Sequence, residues 1–334
     1  MDAVAEAGLS HRRDPFDLDD EASYQRWRTV KLATRARHVE DLIVDVDDPA
    51  ALSEAERTAL LRRCARWNMA IYRSPRRGAD KTLVHALGAR LGLRQLDANW
   101  LAEDDGISSI TVSRSPPCSL RALPPEGERA AWGGPAPRPR DERGGFIPYT
   151  DRPFKWHTDG YYHPQQRHIR AMVLHCVRPA RSGGVNALLD HELAYIALRD
   201  ASPAGLRALM AADAMKIPGR DDDAGVARAA QSGAVFSVDP HDGALHMRYT
   251  SRTRSIEWKT DAATRHAVAF LERFINDANP FVLRIRLEAG MGVVANNVLH
   301  ERSGFTDDAA SPRLLYRARY LDRIGPSDTP WLNG

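Results

Sequence analysis

FKWHTDGYYHP, residues 154–164, sets a histidine and an aspartate two positions apart among aromatic residues. Side chains two apart on a strand share one face, so His157 and Asp159 can reach a common point inside a sheet. The spacing by itself is cheap. With 12 histidines in the chain, a His-x-acid pair arises by chance on the order of once per sequence. His38 and Glu40 in RHVEDL repeat the same spacing. A metal site and an ordinary pair on a strand both stand at this point.

Companions far downstream raise the odds of a metal site. GVVANNVLHERSGF ends a strand on His300, a second imidazole for the same point. Two histidines and one carboxylate on one face of an iron leave three adjacent positions open. Two of these suit a chelating keto acid and one suits dioxygen. Arg313 and Arg317 follow in SPRLLYRARYLDR. A buried arginine near such a metal can hold the remote carboxylate of a dicarboxylate bidentately. Taken singly, each arginine reads as a solvated strand edge.

Outward from this stretch, residues 154–325 are dominated by short strand-like runs: RAMVLHCVRP, GVNALLD, GAVFSVD, ALHMRYTS, PFVLRIRLEAG, MGVVANNVLH and LLYRARYLDR. Helical patterns interrupt them at HELAYIALRD, GLRALMAAD and DAATRHAVAFLERFIND. Short strands with Gly/Pro turns predict a mainly β chain with helical decoration, built on a double-stranded β-helix (jelly-roll) core. Residues 1–30 are polar and read as loosely packed. Residues 31–114 read as an N-terminal strand and helix part, in which Ser53 caps a helix with Glu56 completing a capping box. Residues 115–153 are dense in Pro, Gly and Arg, the composition of an active-site lid or an insertion. The whole, 1–334, reads as a single catalytic domain. It holds no G-x-G-x-x-G and no P-loop.

Composition sets the outer bounds. The chain has 334 residues, 43% hydrophobic and 27% charged, and a formal net charge of +3, ordinary values for a globular protein with a sizeable core. No Lys/Arg run offers a nucleic-acid track. No segment is apolar enough for a membrane span or a signal peptide. Cys64, Cys118 and Cys176 are too scattered for a disulfide framework, so a cytoplasmic protein is the expectation.

WHTDGYY, then MVLHCVRPARSGGVNALLD, then NNVLHERSGF and RLLYRARYLD together resemble the Fe(II)/2-oxoglutarate-dependent dioxygenases of the taurine/2,4-dichlorophenoxyacetate dioxygenase (TauD/TfdA) superfamily. The motifs are nearest to its γ-butyrobetaine and trimethyllysine hydroxylase branch, although Glu301 stands where that branch has glycine. The resemblance covers roughly residues 40–325. It implies that His157, Asp159 and His300 ligate Fe(II), that Arg313 clamps the co-substrate 2-oxoglutarate, and that Asn186 in GGVN lies beside it. Arg317 falls where several members hold an anionic group of the prime substrate. Halogenating members replace the carboxylate ligand with a small residue, and Asp159 is retained here.

The resemblance therefore implies hydroxylation of an unactivated C–H in a small anionic or zwitterionic metabolite, with release of succinate and carbon dioxide. Desaturation, cyclisation or C–S/C–N cleavage on the same scaffold are alternatives, and so is a non-catalytic jelly-roll binding or sensor protein. Expected partners are the small-molecule substrate and dioxygen, with no nucleic acid or membrane; the resemblance also implies a homo-oligomer. Arg248 and Arg252 in HMRYTSRTR join Arg317 as an anion-holding corner or form a charged sheet edge. Tyr161 and Tyr162, with Tyr149, Trp156 and Tyr316, form an aromatic wall or ordinary packing.

Overall fold

The computed structural model describes residues 14–97, 103–112, 146–219, 228–252 and 256–325. Helix α1 (Glu21–Thr34) starts where Asp20 accepts a hydrogen bond from the Ser23 amide. Around it Phe16, Tyr24 and Trp27 meet the ring of Tyr195 edge-on. The end of the segment expected to be loose is thus packed, because three aromatic rings in a polar stretch share one buried partner. Strand β1 (Ile43–Asp45), helix α2 (Glu54–Trp67), strand β2 (Met69–Arg73) and helix α3 (Thr82–Arg90) follow. The capping box expected at Ser53 and Glu56 is present, and Asn68 ends α2 in the left-handed region at φ 60.

Eight further strands carry the core: β3 (Ser108–Ile110), β4 (Phe154–His157), β5 (Ala171–Arg178), β6 (Asn186–Leu189), β7 (Leu283–Ile285), β8 (Met291–Ala295), β9 (Leu299–Arg302) and β10 (Leu314–Tyr320). One sheet runs β1-β2-β8-β5-β10-β3 and the other β7-β6-β9-β4. Every pairing is antiparallel except β1 with β2.

Alternation of side chains sorts the layers. Ile71, Leu174, Val293 and Leu315 of the larger sheet pack with Leu188, Leu283 and Val298 in the space between the sheets. Tyr72, Val173 and Val294 turn the other way, onto Leu60 of α2 and Leu83 and Leu87 of α3. Helices α4 (His191–Ala201), α5 (Pro203–Leu209) and α6 (Ala262–Asn276) cover the smaller sheet through Leu193, Leu206 and Leu271. Two facing sheets make the jelly-roll core as expected. The described residues are nevertheless mixed rather than mainly β, at 30% helix and 25% strand, because both outer faces are helix-covered and so need whole amphipathic helices. Most of the candidate lid lies outside the described residues, which resume at 146 with a short 3-10 turn at Ile147–Tyr149. Among the described residues no helix is long and apolar enough to cross a membrane.

Candidate metal centre

Strand β4 ends on His157, directly opposite His300 of β9, with ring centroids 4.2 Å apart. His157, Asp159 and His300 each offer a ligand atom, and these atoms lie within 4.8 Å of one another. They are the only such group among the described residues. The decoy pair fails, because His38 and Glu40 are both exposed. His157 and Asp159 are 2% and 5% exposed, which makes their spare donor atoms decisive. His157 Nε2 and Asp159 Oδ2 are buried with no hydrogen-bond partner.

Backbone carbonyls choose the tautomers. His157 Nδ1 lies 2.8 Å from Lys155 O, and His300 Nδ1 lies 2.9 Å from Val298 O. A carbonyl only accepts, so both Nδ1 atoms carry the proton and both Nε2 atoms keep a lone pair. Burial, then the neighbouring His300, holds the His157 imidazole well below its ordinary range. Burial lowers His300 as well, against the pull of Asp159. Two neutral imidazoles and one carboxylate, with orphaned atoms facing each other, fit a divalent ion bound at about 2.1 Å per ligand.

Asp159 is held as firmly as the histidines. Its amide donates to Asn297 Oδ1 (2.7 Å), and Asn297 Nδ2 donates back to Asp159 O (2.9 Å) and to Ile169 O (2.6 Å). Gly160 follows at φ +66, and a Cβ there would stand 2.4 Å from Ile169 Cγ1, so glycine lets the chain turn beside the ligand. Arg317 Nη1 lies 3.1 Å from Asp159 Oδ1. Burial works to raise the Asp159 carboxyl, but Arg317 and Arg319 outweigh it and hold the group far below the usual carboxylate range.

Arg313 and Asn186 line one small cavity with Gly184, Cys176 and Leu315. Leu315, Arg317 and Arg319 alternate along β10, so Arg317 and Arg319 share the face turned toward Asp159, while Arg313 stands just before the strand, ahead of a register shift at Leu314/Leu315. Tyr316 points away, and its hydroxyl donates to Ala79 O. Tyr149 and Trp156 are core residues, 1% exposed each, so the five-ring wall is not assembled. Tyr161 and Tyr162 do meet, at 5.3 Å, and the Tyr162 hydroxyl accepts from Arg319 Nη1 (3.1 Å). Arg252 lies two residues beyond Thr250, which bridges to His157. Arg248 is placed differently: it donates to Tyr161 O, Met215 O and Gln231 O. Its donors fasten three segments together rather than facing a ligand.

Four residues around the site, Asn297, Arg319, Asp97 and Arg167, carried too little signal to be picked out. Asn297 binds both sides of the aspartate. Arg319 pairs with Asp97 at 2.6 Å, and Arg167 meets the other oxygen of Asp97 at 2.8 Å.

A convergent His/Asp/His set, with both histidines on the paired strands β4 and β9 of the smaller sheet, has the makeup of a mononuclear metal centre of the facial-triad kind. The chain belongs to the taurine catabolism dioxygenase TauD, TfdA family, whose profile matches residues 133–319. Among curated proteins it is similar to a uridine-5'-phosphate dioxygenase of Amycolatopsis sp, 31% identical over 194 residues, 55% of this chain and 66% of that one. A uridine-5'-phosphate dioxygenase of Streptomyces sp is 32% identical over 50% of this chain and 61% of that one. The matches thus span just under two thirds of those relatives. Among solved structures, a taurine dioxygenase from Burkholderia xenovorans has a TM-score of 0.51 at 17% identity, covering 87% of this chain and 90% of that one. An asparagine oxygenase in complex with Fe(II), 2S,3S-3-hydroxyasparagine and succinate has a TM-score of 0.52 at 14% identity, covering 84% and 93%. These structural likenesses are likenesses of fold.

Proposed function

We propose that the protein is an Fe(II)- and 2-oxoglutarate-dependent dioxygenase that hydroxylates an unactivated C–H of a small anionic metabolite. The observation that carries this reading is the pair of buried, partnerless donor atoms, His157 Nε2 and Asp159 Oδ2, aimed at the same point as His300. His157, Asp159 and His300 would hold the iron, and Arg313 with Asn186 would receive the co-substrate. When bound, iron and 2-oxoglutarate supply the oxidising power, the keto acid losing carbon dioxide to become succinate as dioxygen is consumed.

The protein's own part is placement. Lys155 O and Val298 O fix the tautomers, Asn297 fixes the turn at Asp159, and Arg317 engages Asp159 Oδ1 so that Oδ2 alone points inward. Arg317 is the candidate partner for an anionic group of the substrate, with Tyr161, Tyr162 and Arg252 as further candidates. The motif likeness to the γ-butyrobetaine/trimethyllysine branch favours a carboxylate. The names of the curated relatives favour a phosphate ester, so uridine 5'-phosphate and γ-butyrobetaine are the first compounds to try.

The test is succinate formation with Fe(II), 2-oxoglutarate and air. An anionic substrate should stimulate it, and Asp159→Ala should lower it by about a thousandfold while leaving the circular dichroism spectrum unchanged. Succinate formation undiminished in the folded Asp159→Ala variant would overturn the reading.

A further inference from the structure

Arg302 is a buried cation that the metal centre itself does not use. It lies two residues beyond His300 on β9, opposite Asn186 of β6. Arg302 and Arg313 are 7% and 5% exposed. Their guanidinium carbons stand 4.7 and 5.0 Å from the centre of one ring, that of Phe305, within cation–π range. Arg302 Nη2 donates to Thr150 O (3.0 Å) and to Arg152 O, while its Nε is buried without a partner.

Carbonyls supply acceptors but no negative charge. Among the described residues no carboxylate lies within 4.0 Å of either guanidinium, although both are enclosed. Burial, then the charge of Arg313, works against the Arg302 cation and Asp151 offsets only part of it; burial works against Arg313, with Cys176 and Asp307 offsetting part. Two enclosed like charges around one ring are costly unless an anion joins them. Arg313 and Asn186 face one small cavity, and Arg302 reaches that side of the site only through the Phe305 ring.

We propose that Arg302 is a positioning residue for the co-substrate: through Phe305 it holds Arg313 and adds a second positive charge that selects keto acids with a remote carboxylate. This rests on the reading of Arg313 as the co-substrate clamp. A competing role, fastening only the 150–152 segment, predicts no such selectivity.

The experiment is calorimetric titration of Mn(II)-loaded protein with 2-oxoglutarate and with 2-oxopentanoate, which has the same keto-acid chain without the second carboxylate. Wild type should prefer the dicarboxylate. Arg302→Gln keeps a donor for the carbonyls but drops the charge, and should erase about tenfold of that preference. Arg302→Lys keeps the charge and should stay within about threefold of wild type. If Arg302→Gln weakens both acids alike or leaves the preference intact, or if Arg302→Lys loses the preference as fully as Gln, the proposal is overturned. Wild type that binds neither acid would instead refute the co-substrate reading stated above.

Discussion

Asp159 is gripped from three sides: by Arg317 at its carboxylate, by Asn297 at its amide and carbonyl, and by the turn that Gly160 permits. Asn297 sits at φ 49, a left-handed conformation that asparagine tolerates better than most residues. Asn297→Ala would remove three hydrogen bonds and leave alanine in that conformation. The expected loss is about 3 kcal/mol, read from urea unfolding, with Asn297→Gly regaining about 1 kcal/mol by relieving the backbone alone. An alanine variant as stable as wild type would show that the network does not hold the ligand turn. The candidate ligands were legible from their motifs, although Asp159 falls in the turn just past β4 rather than on the strand whose spacing suggested it. The asparagine was not, since its partner lies 138 residues away and nothing local names it.

At the scale of elements, α1 shows where pattern reading fails. Its buried residues are only Ser23, Tyr24 and Lys31, so it presents no apolar stripe to recognise. Lys31 anchors it instead: the ammonium lies 2.6 Å from Asp190 Oδ2, contacts the Glu192 carboxylate, and donates to Arg66 O at 2.8 Å. Helix α2, by contrast, was legible at its start because Ser53 and Glu56 satisfy each other within one turn. Burial alone would raise the Glu192 carboxyl, but Lys31 outweighs it and the group is held at about 2. A depressed carboxylate stabilises the fold above its unfolded value of 4.5, and that contribution is lost as pH falls through about 2. Melting temperature should therefore decline across that window. Lys31→Met should cost roughly 3–5 kcal/mol at pH 7 by leaving two buried carboxylates unpaired, and should remove the acid decline. A variant with the wild-type pH profile would contradict this account of the ion pair.

At the scale of the whole molecule, the two-sheet core is where local patterns and fold agree. RAMVLHCVRP and LLYRARYLDR became β5 and β10, neighbours in one sheet, while the run MGVVANNVLH split into β8 beside them and the start of β9 in the other sheet. Long-range polar pairings were beyond such reading. Asp97 and Arg319 meet across 222 residues, and Arg248 donates to carbonyls of three separate segments. Sequence could place that arginine near the site but not tell which way its donors pointed. The helical share was underestimated for a related reason: strand runs near a motif draw notice, while the helices that cover both sheets carry no chemistry.

The central claim, that His157, Asp159 and His300 hold an iron that takes a chelating keto acid, is tested most directly by anaerobic titration. Purified protein would receive Fe(II) and then 2-oxoglutarate while the visible spectrum is followed. The account predicts a metal-to-ligand charge-transfer band that is absent in folded His300→Ala. Folded wild-type protein that shows no band would contradict it and favour a jelly-roll binding protein with the same three residues.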